Sequence, residues 1–452
     1  MENLSFSADA TFHFQMIQKT FKNRAVCILV QLVGAGFLSA QTLTHGPVVG
    51  GVTSSTANVF VRTDKNARVQ IRYGTDPNLL TYSTSATSTT NMTSDFTKII
   101  SLSGLSSETT YYLNPVVSGV PQLSAPFPLF KTFPAQNSTR DFSFVVLSDF
   151  TTIRNLTQDV PTYASAAATN PAFVFIGGDF DHRDPKVLTA KRNMFKQLYS
   201  PTTQHMADFA NFILRQFPIV HQWDDHDAGE NSADKTYPKW SDSQQVFEEY
   251  VPTYPLPAVT PGIWQSFSYA QADFFVLDCR SQRTPDGDPD NSSKSMLDGN
   301  QLGAAGQLQW LENGLLNSTA AWKIVFTSVV TNATTKFPDG WAGFQTEWNG
   351  IKNFITDNNI HNVVFISGDL HIGAIDNGAT AGFPEMCVGQ PNGEKRGYCG
   401  TAGPGQWTEG FYNGPCTAFG LVTISDNPDQ ITLQTVDQNG EVQISYTIPE
   451  EE

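Results

Sequence analysis

Six segments of this chain are continuous apolar runs that end in turn-forming residues: FVVLSDF (144–150), FVFIGGDFDH (173–182), FPIVHQWDDHD (217–227), DFFVLDC (273–279), WKIVFTS (322–328) and VVFISGDLH (363–371). Runs of this length without polar alternation read as strands covered on both faces. Between them, LTAKRNMFKQLYS (188–200) and LGAAGQLQWLENGLL (302–316) carry the three-to-four residue spacing of helices. The pattern from 141 to 450 therefore predicts a layered α/β domain. Upstream, residues 42–133 alternate apolar and polar positions with period two, as in ARVQIRY, and predict a small β-sandwich. Leu105, Thr109 and Tyr111 have the spacing of a tyrosine corner, which points to a fibronectin-III-like sandwich. The polar segment PAQNSTR (134–140) is the expected linker, and GLVTIS, ITLQTVD and EVQISYTI near the C-terminus add alternating strands, the last two turning at Asn439-Gly440.

The N-terminus has a different character. Lys19, Lys22 and Arg24 precede an apolar run from Ala25 to Ala40. Residues 1–40 are expected to be a secretory signal cleaved before Gln41, with Met16 as an alternative start. A membrane anchor is the competing reading, but the run is short of the ~20 residues a span needs. Removing this segment leaves 24 of 27 basic and 41 of 43 acidic residues. That excess of negative charge disfavours nucleic acid and anionic membranes as general partners. A secreted or periplasmic location follows, with no stable membrane insertion; oligomeric state is not readable. Four cysteines then remain. Cys387, Cys399 and Cys416 share a glycine-rich region and could pair in an oxidising compartment, while Cys279 ends a strand and reads as a buried thiol.

The chemistry lies in the turns after four of the six strands. Asp149, Asp179, Asp181, His182, Asp224, Asp225, His226, Asp227, Asp369 and His371 all fall there. In layered α/β folds ligands gather at the carboxyl ends of strands. So many carboxylates in one crevice repel each other unless a cation is present. A metal site with more than one ion is therefore expected. Asp179, directly after Gly178, is the candidate bridging carboxylate; Asp149 occupies the same position one strand earlier, and His182 can bend back to the first ion. Asp369 and His371, two residues apart, can touch different ions. Asp224 and Asp227 read as partners that orient His226 and backbone groups, and Asp181 as solvated or supporting. A strand-end aspartate can equally be a turn or cap residue, and His182 an ordinary surface histidine. His221 reads as packed rather than catalytic.

The order of these turns resembles the metallophosphoesterase (calcineurin-like) superfamily, and more closely its PhoD-type alkaline phosphatases and phosphodiesterases. WDDHD followed by Asn231, ADFFVLDCRSQR (272–283), LGAAGQLQWLENGLLNSTAAWKIVF (302–326) and SGDLH (367–371) resemble that family's signatures in order. The resemblance implies a four-layer α/β/β/α sandwich behind a β-sandwich domain. It implies that Asp149, Asp179, His182 and His371 bind a first metal, and that Asp179, Asp225 and Asp369, with Asn231 completing the shell, bind a second. His226 would be the general acid, with Asp227 raising its pKa. Arg280 and Arg283 would hold substrate phosphate, although pairing with Asp278 or nearby carbonyls is an equal alternative. His182 stands where the family more often has tyrosine, so no purple charge-transfer colour is expected. The histidine-containing site suits Fe, Zn or Mn, and the oxygen-rich site Ca, Mg or Mn. The implied activity is hydrolysis of phosphate esters. The alternatives are a phosphodiesterase or phospholipase acting on lipid or cell-envelope polymers, and a binding protein that has lost catalysis.

Overall fold

The computed structural model describes residues 40–150, 160–203, 206–392, 405–412 and 417–451. The expected signal run, Cys399 and Cys416 lie outside the described residues. Residues 41–452 form one compact unit.

All six apolar runs are strands, three in each of two sheets. In the first sheet Phe142–Leu147, Val174–Ile176 and Ile219–His221 run parallel, with Val145 opposite Val174 and Val174 opposite Ile219. In the second, Ala272–Val276, Trp322–Phe326 and Val363–Ser367 run parallel, with Phe274 opposite Ile324 and Ile324 opposite Val364. The C-terminal strands Ala418–Asp426, Asp429–Asp437 and Val442–Pro449 extend the first sheet as antiparallel neighbours.

Side-chain alternation explains why the strands need cover on both faces. Phe144, Val146, Phe173 and Phe175 point one way and meet Phe274, Val276, Ile324 and Phe326 of the other sheet. The rings of Phe175 and Phe326 stack across this interface, centroids 3.6 Å apart and planes 9° apart. The intervening residues Val145, Leu147, Val174 and Ile176 face outward and are covered by Tyr163, Met194, Phe195 and Phe247, from the helices Pro161–Ala168, Leu188–Leu198 and Trp240–Tyr250. On the far side Phe275, Val325 and Phe365 are covered by Leu311, Leu315, Trp348 and Ile351, from Gln307–Asn317 and Gln345–Asp357. The architecture is the expected α/β/β/α stack.

An N-terminal β-rich domain precedes this sandwich, but it shares strands with it. Leu43–Gly50, Thr56–Thr63 and Thr97–Ser103 complete the first sheet, which they enter where Gly50 lies opposite Ile219. A smaller sheet is built around Ala67–Gly74 and Thr110–Val117. The tyrosine corner is present: Ser106 N donates to the Tyr111 hydroxyl at 2.9 Å. Among the described residues no helix is long and apolar enough to cross a membrane.

Candidate metal centre

The parallel strands end on one side, and their turns interlock there. Asp149 N donates to the Gly178 carbonyl at 3.2 Å and Phe150 N to the Asp179 carbonyl at 2.8 Å. Asp369 N donates to both Asp149 oxygens, at 3.0 and 3.1 Å. His226 N donates to Asp179 Oδ1 at 3.2 Å. Two glycines let the turns close. A Cβ on Gly178, whose φ is +103°, would stand 2.9 Å from the Asp224 backbone nitrogen, and one on Gly368 would overlap Ser148 Oγ. Asp149, Asp179, Asp369 and His371 themselves take φ values of 57°, 48°, 70° and 57°. Left-handed backbone is uncommon for such residues and clusters at functional sites. Here it turns four side chains into one volume.

Three groups of donor atoms result: Asp149, Asp179, His182 and His371; Asp179, Asp225 and His226; and Asp179, Asp224 and Asp369. Asp179 belongs to all three. The His182 ring lies with its centroid 4.4 Å from that of His226 and 4.9 Å from that of His371. His182 Nδ1 is held by the Phe150 carbonyl at 2.8 Å, and the Gln390 amide bonds His371 Nδ1. Each ring therefore keeps its other nitrogen for the cluster.

The electrostatics favour a cation. Burial and the neighbouring Asp179 push the Asp149 carboxyl up to about 8. Burial raises Asp225 to about 7 against the opposing pull of Arg280, and burial with Asp339 raises Asp369 as well. For Asp179 burial acts upward too, but the imidazoles of His182, His226 and His371 outweigh it and hold that carboxyl below its usual range. Asp369 Oδ2 is buried without a hydrogen-bond partner in the protein, and His182 Nε2 faces only Asp179 Oδ2, 3.4 Å away. Unpaired polar atoms in so buried a site are costly. The donor set, imidazole on one side and oxygen on the other, fits metal ions.

Several expected residues sit elsewhere. Arg280 is fully buried and not open to substrate. It grips Asp224 through Nε and Nη2 and Asp339 through Nη1 at 2.7 Å. Arg283 is equally buried, paired with Asp286 and with Asp339 at 3.0 Å. Neither guanidinium pairs with the Asp278 carboxylate, which takes Trp223 Nε1 at 2.8 Å and Ser281 Oγ at 2.6 Å. Asn231 is exposed, its amide on the Ser232 hydroxyl at 3.1 Å. Asp227 does not orient His226. It forms a capping box with Asp224 on the single helical turn Asp225–Ala228 and also accepts from Phe180 N at 2.9 Å. Successive residues on a helix point different ways, so Asp227 and His226 cannot face each other. The carboxylate on His226 is Asp184, 2.7 Å from Nδ1. Asp224 lies in the donor cluster itself. Asp181 is buried rather than solvated, holding Arg183 Nε at 2.7 Å. Lys336, unremarked in the sequence, reaches Asp369 Oδ1 at 2.9 Å. His221 and Cys279 are packed and buried, and so is Cys387.

The sequence profile of the PhoD-like phosphatase family matches residues 159–389, just over half of the 452-residue chain. The chain belongs to the PhoD-like phosphatase family. Residues 40–120 match a second profile, described as a domain of unknown function. Alkaline phosphatase D of Bacillus subtilis (strain 168) is 29% identical over 219 residues, 42% of this PhoD-like chain and 36% of the relative. The alignment therefore spans little more than a third of that relative's length. Among solved structures, that of PhoD superposes with a TM-score of 0.69 at 18% identity, covering 89% of this chain and 90% of that one. Purple acid phosphatase PPD1 from yellow lupin (Lupinus luteus) seeds superposes with a TM-score of 0.61 at 14% identity, covering 91% and 74%. These likenesses establish the fold; the chemistry rests on the cluster.

Proposed function

We propose that this PhoD-like chain is a metal-dependent phosphoric ester hydrolase of the alkaline phosphatase type. The observation that carries the reading is the convergence of three buried donor groups on Asp179, with Asp369 Oδ2 left without a hydrogen-bond partner. Family membership supports it. Asp149, Asp179, His182 and His371 would hold one ion, of the Fe, Zn or Mn kind. Asp179, Asp225 and Asp369, with Asp224 beside them, would hold another, of the Ca, Mg or Mn kind. When bound, such ions acidify water and neutralise the charge of phosphoryl oxygens.

The chain's own residues supply placement and protons. His226 lies between the cluster and Asp184, which bonds its Nδ1. Burial pulls the imidazole toward its neutral form, but Asp179 and Asp225 outweigh that, and Asp184 adds to them, so its pKa is raised. The cation donates a proton from Nε2 to a departing alkoxide, the role of a general acid. Arg280, sealed from solvent, is assigned to holding Asp224 and Asp339 rather than substrate.

Hydrolysis of p-nitrophenyl phosphate and its bis ester, before and after chelation and with single metals restored, tests this. Activity lost to chelator and recovered with metal is expected. Absence of hydrolysis in every metal-loaded form, or indifference to chelation, overturns it. We also infer export, with Gln41 as the mature N-terminus. Mass spectrometry of protein from its native host checks it, and retention of residues 25–40 would favour an anchor.

A further inference from the structure

Of the three cations around the carboxylates, Arg280 and Arg283 are sealed, whereas the Lys336 side chain is 34% exposed. The next residue, Phe337, is 79% exposed, against 45% for Tyr82 and 37% for Phe212, and is the most exposed aromatic among the described residues. A single exposed apolar side chain is ordinary on a protein surface. This one differs in where it is held. Lys336 Nζ lies 2.9 Å from Asp369 Oδ1. Two residues after Phe337, Asp339 is gripped by Arg280 at 2.7 Å and paired with Arg283 at 3.0 Å. Gly340 N closes onto the Lys336 carbonyl at 2.7 Å, and Trp341 N onto the Val330 carbonyl at 3.0 Å. The backbone is thus fastened to the donor cluster on both sides of an aromatic ring left uncovered. Fastening the backbone on either side of Phe337 reduces the ordering cost of packing something against its ring.

We propose that Phe337 is a specificity-determining residue, on which an apolar and above all an aryl substituent of a phosphate ester packs while the phosphate occupies the Asp179-centred cluster. The proposal rests on the hydrolase reading and names its substrate class: esters carrying a hydrophobic group close to phosphorus. Contacts of this size discriminate between substrates by roughly ten- to a hundredfold.

The test compares kcat/KM for phenyl phosphate with kcat/KM for glycerol phosphate in metal-loaded wild type, Phe337→Ala and Phe337→Leu. Thermal unfolding and metal content are measured alongside. The wild-type ratio is expected to fall about tenfold in Phe337→Ala, mainly through KM for phenyl phosphate, and less in Phe337→Leu. Equilibrium binding of phenylphosphonate, relative to methylphosphonate, should weaken in parallel. A wild type that hydrolyses both esters with a ratio unchanged in Phe337→Ala overturns this proposal alone. A wild type that hydrolyses neither, but does hydrolyse the p-nitrophenyl bis ester, also overturns this proposal alone; one that hydrolyses none of the three overturns the hydrolase reading and this proposal with it.

Discussion

His226 Nδ1 stands 2.7 Å from Asp184 Oδ1, while Asp227, its neighbour in sequence, turns away to accept from Phe180 N and Asp224 N. The two carboxylates should therefore fail differently. A general acid matters most for a poor leaving group and contributes roughly 10²–10⁴-fold. His226→Ala should cost far more on alkyl phosphates than on p-nitrophenyl phosphate. The hydrogen bond from His226 to Asp184 helps raise the imidazole pKa. Asp184→Asn should thus lower that pKa, and the alkaline limb of the pH–rate profile should move to lower pH. Asp227→Asn should instead lose about 1 kcal/mol of stability through the broken cap, leaving the limb where it was. Equal losses of His226→Ala on both leaving groups would remove the acid role.

Asp179 belongs to every donor group of the centre, whereas His182 and Asp369 belong to one each, and to different ones. Asp179→Asn is expected to lose all bound metal. His182→Ala should chiefly deplete the histidine-containing site, and Asp369→Ala the oxygen-rich one. Elemental analysis of the purified variants reads this directly. A fully metallated Asp179→Asn would end the assignment of that carboxylate as the bridge.

What could be read from the sequence was what local pattern controls. The runs ending at Asp149, Asp179, Asp225 and Asp369 announced buried parallel strands, because residues covered on both faces leave no polar positions. Chain order then brought the same turns to one crevice. Pairings decided by tertiary contact were not visible. Arg280 follows a strand as a substrate arginine would, and nothing local says that Asp224 and Asp339, 56 and 59 positions away, enclose it. Asp184 reaches His226 because the backbone is left-handed at Asp179 and again at Asp184, φ 48° and 49°. No residue-type rule gives that turn. The β-rich N-terminal region looked separate because its alternation is real. Its entry into the first sheet through Gly50 and Ile219 is a pairing 169 residues apart.

Arg280 neutralises two buried carboxylates, so its loss should register as stability. Arg280→Met leaves Asp224 without its counter-charge, while Asp339 keeps Arg283 and Lys336, and breaking a buried pair in this way costs roughly 3–5 kcal/mol. Arg280→Lys should recover part of this, since a point charge cannot reproduce contacts made through Nε, Nη1 and Nη2. Urea unfolding of the metal-free variants measures it. An Arg280→Met protein as stable as wild type but with a raised KM would restore the substrate role.

His45 should make the fold acid-labile from a position remote in sequence from the centre. Its ring lies between the N-terminal strand and the helix Leu188–Leu198, with Nε2 2.9 Å from the Lys196 carbonyl and Nδ1 3.0 Å from Thr44 Oγ1. Burial, aided by the nearby Arg62 guanidinium, lowers its pKa from 6.5 to about 4. Between those values the unfolded chain binds a proton that the folded chain does not. Stability therefore rises with pH across this window, and it is lost as pH falls from 6.5 toward 4. Below 4 both states are protonated and the loss stops growing. At about 1.4 kcal/mol per pKa unit the full effect is at most ~3.5 kcal/mol. His45→Gln keeps an amide that can donate to the Lys196 carbonyl but does not titrate. Urea midpoints measured at pH 7 and pH 4.5 should fall further in wild type than in His45→Gln, carboxylate titration being common to both proteins. Identical falls would mean that His45 is protonated in the fold, with its charge accepted at the strand–helix junction.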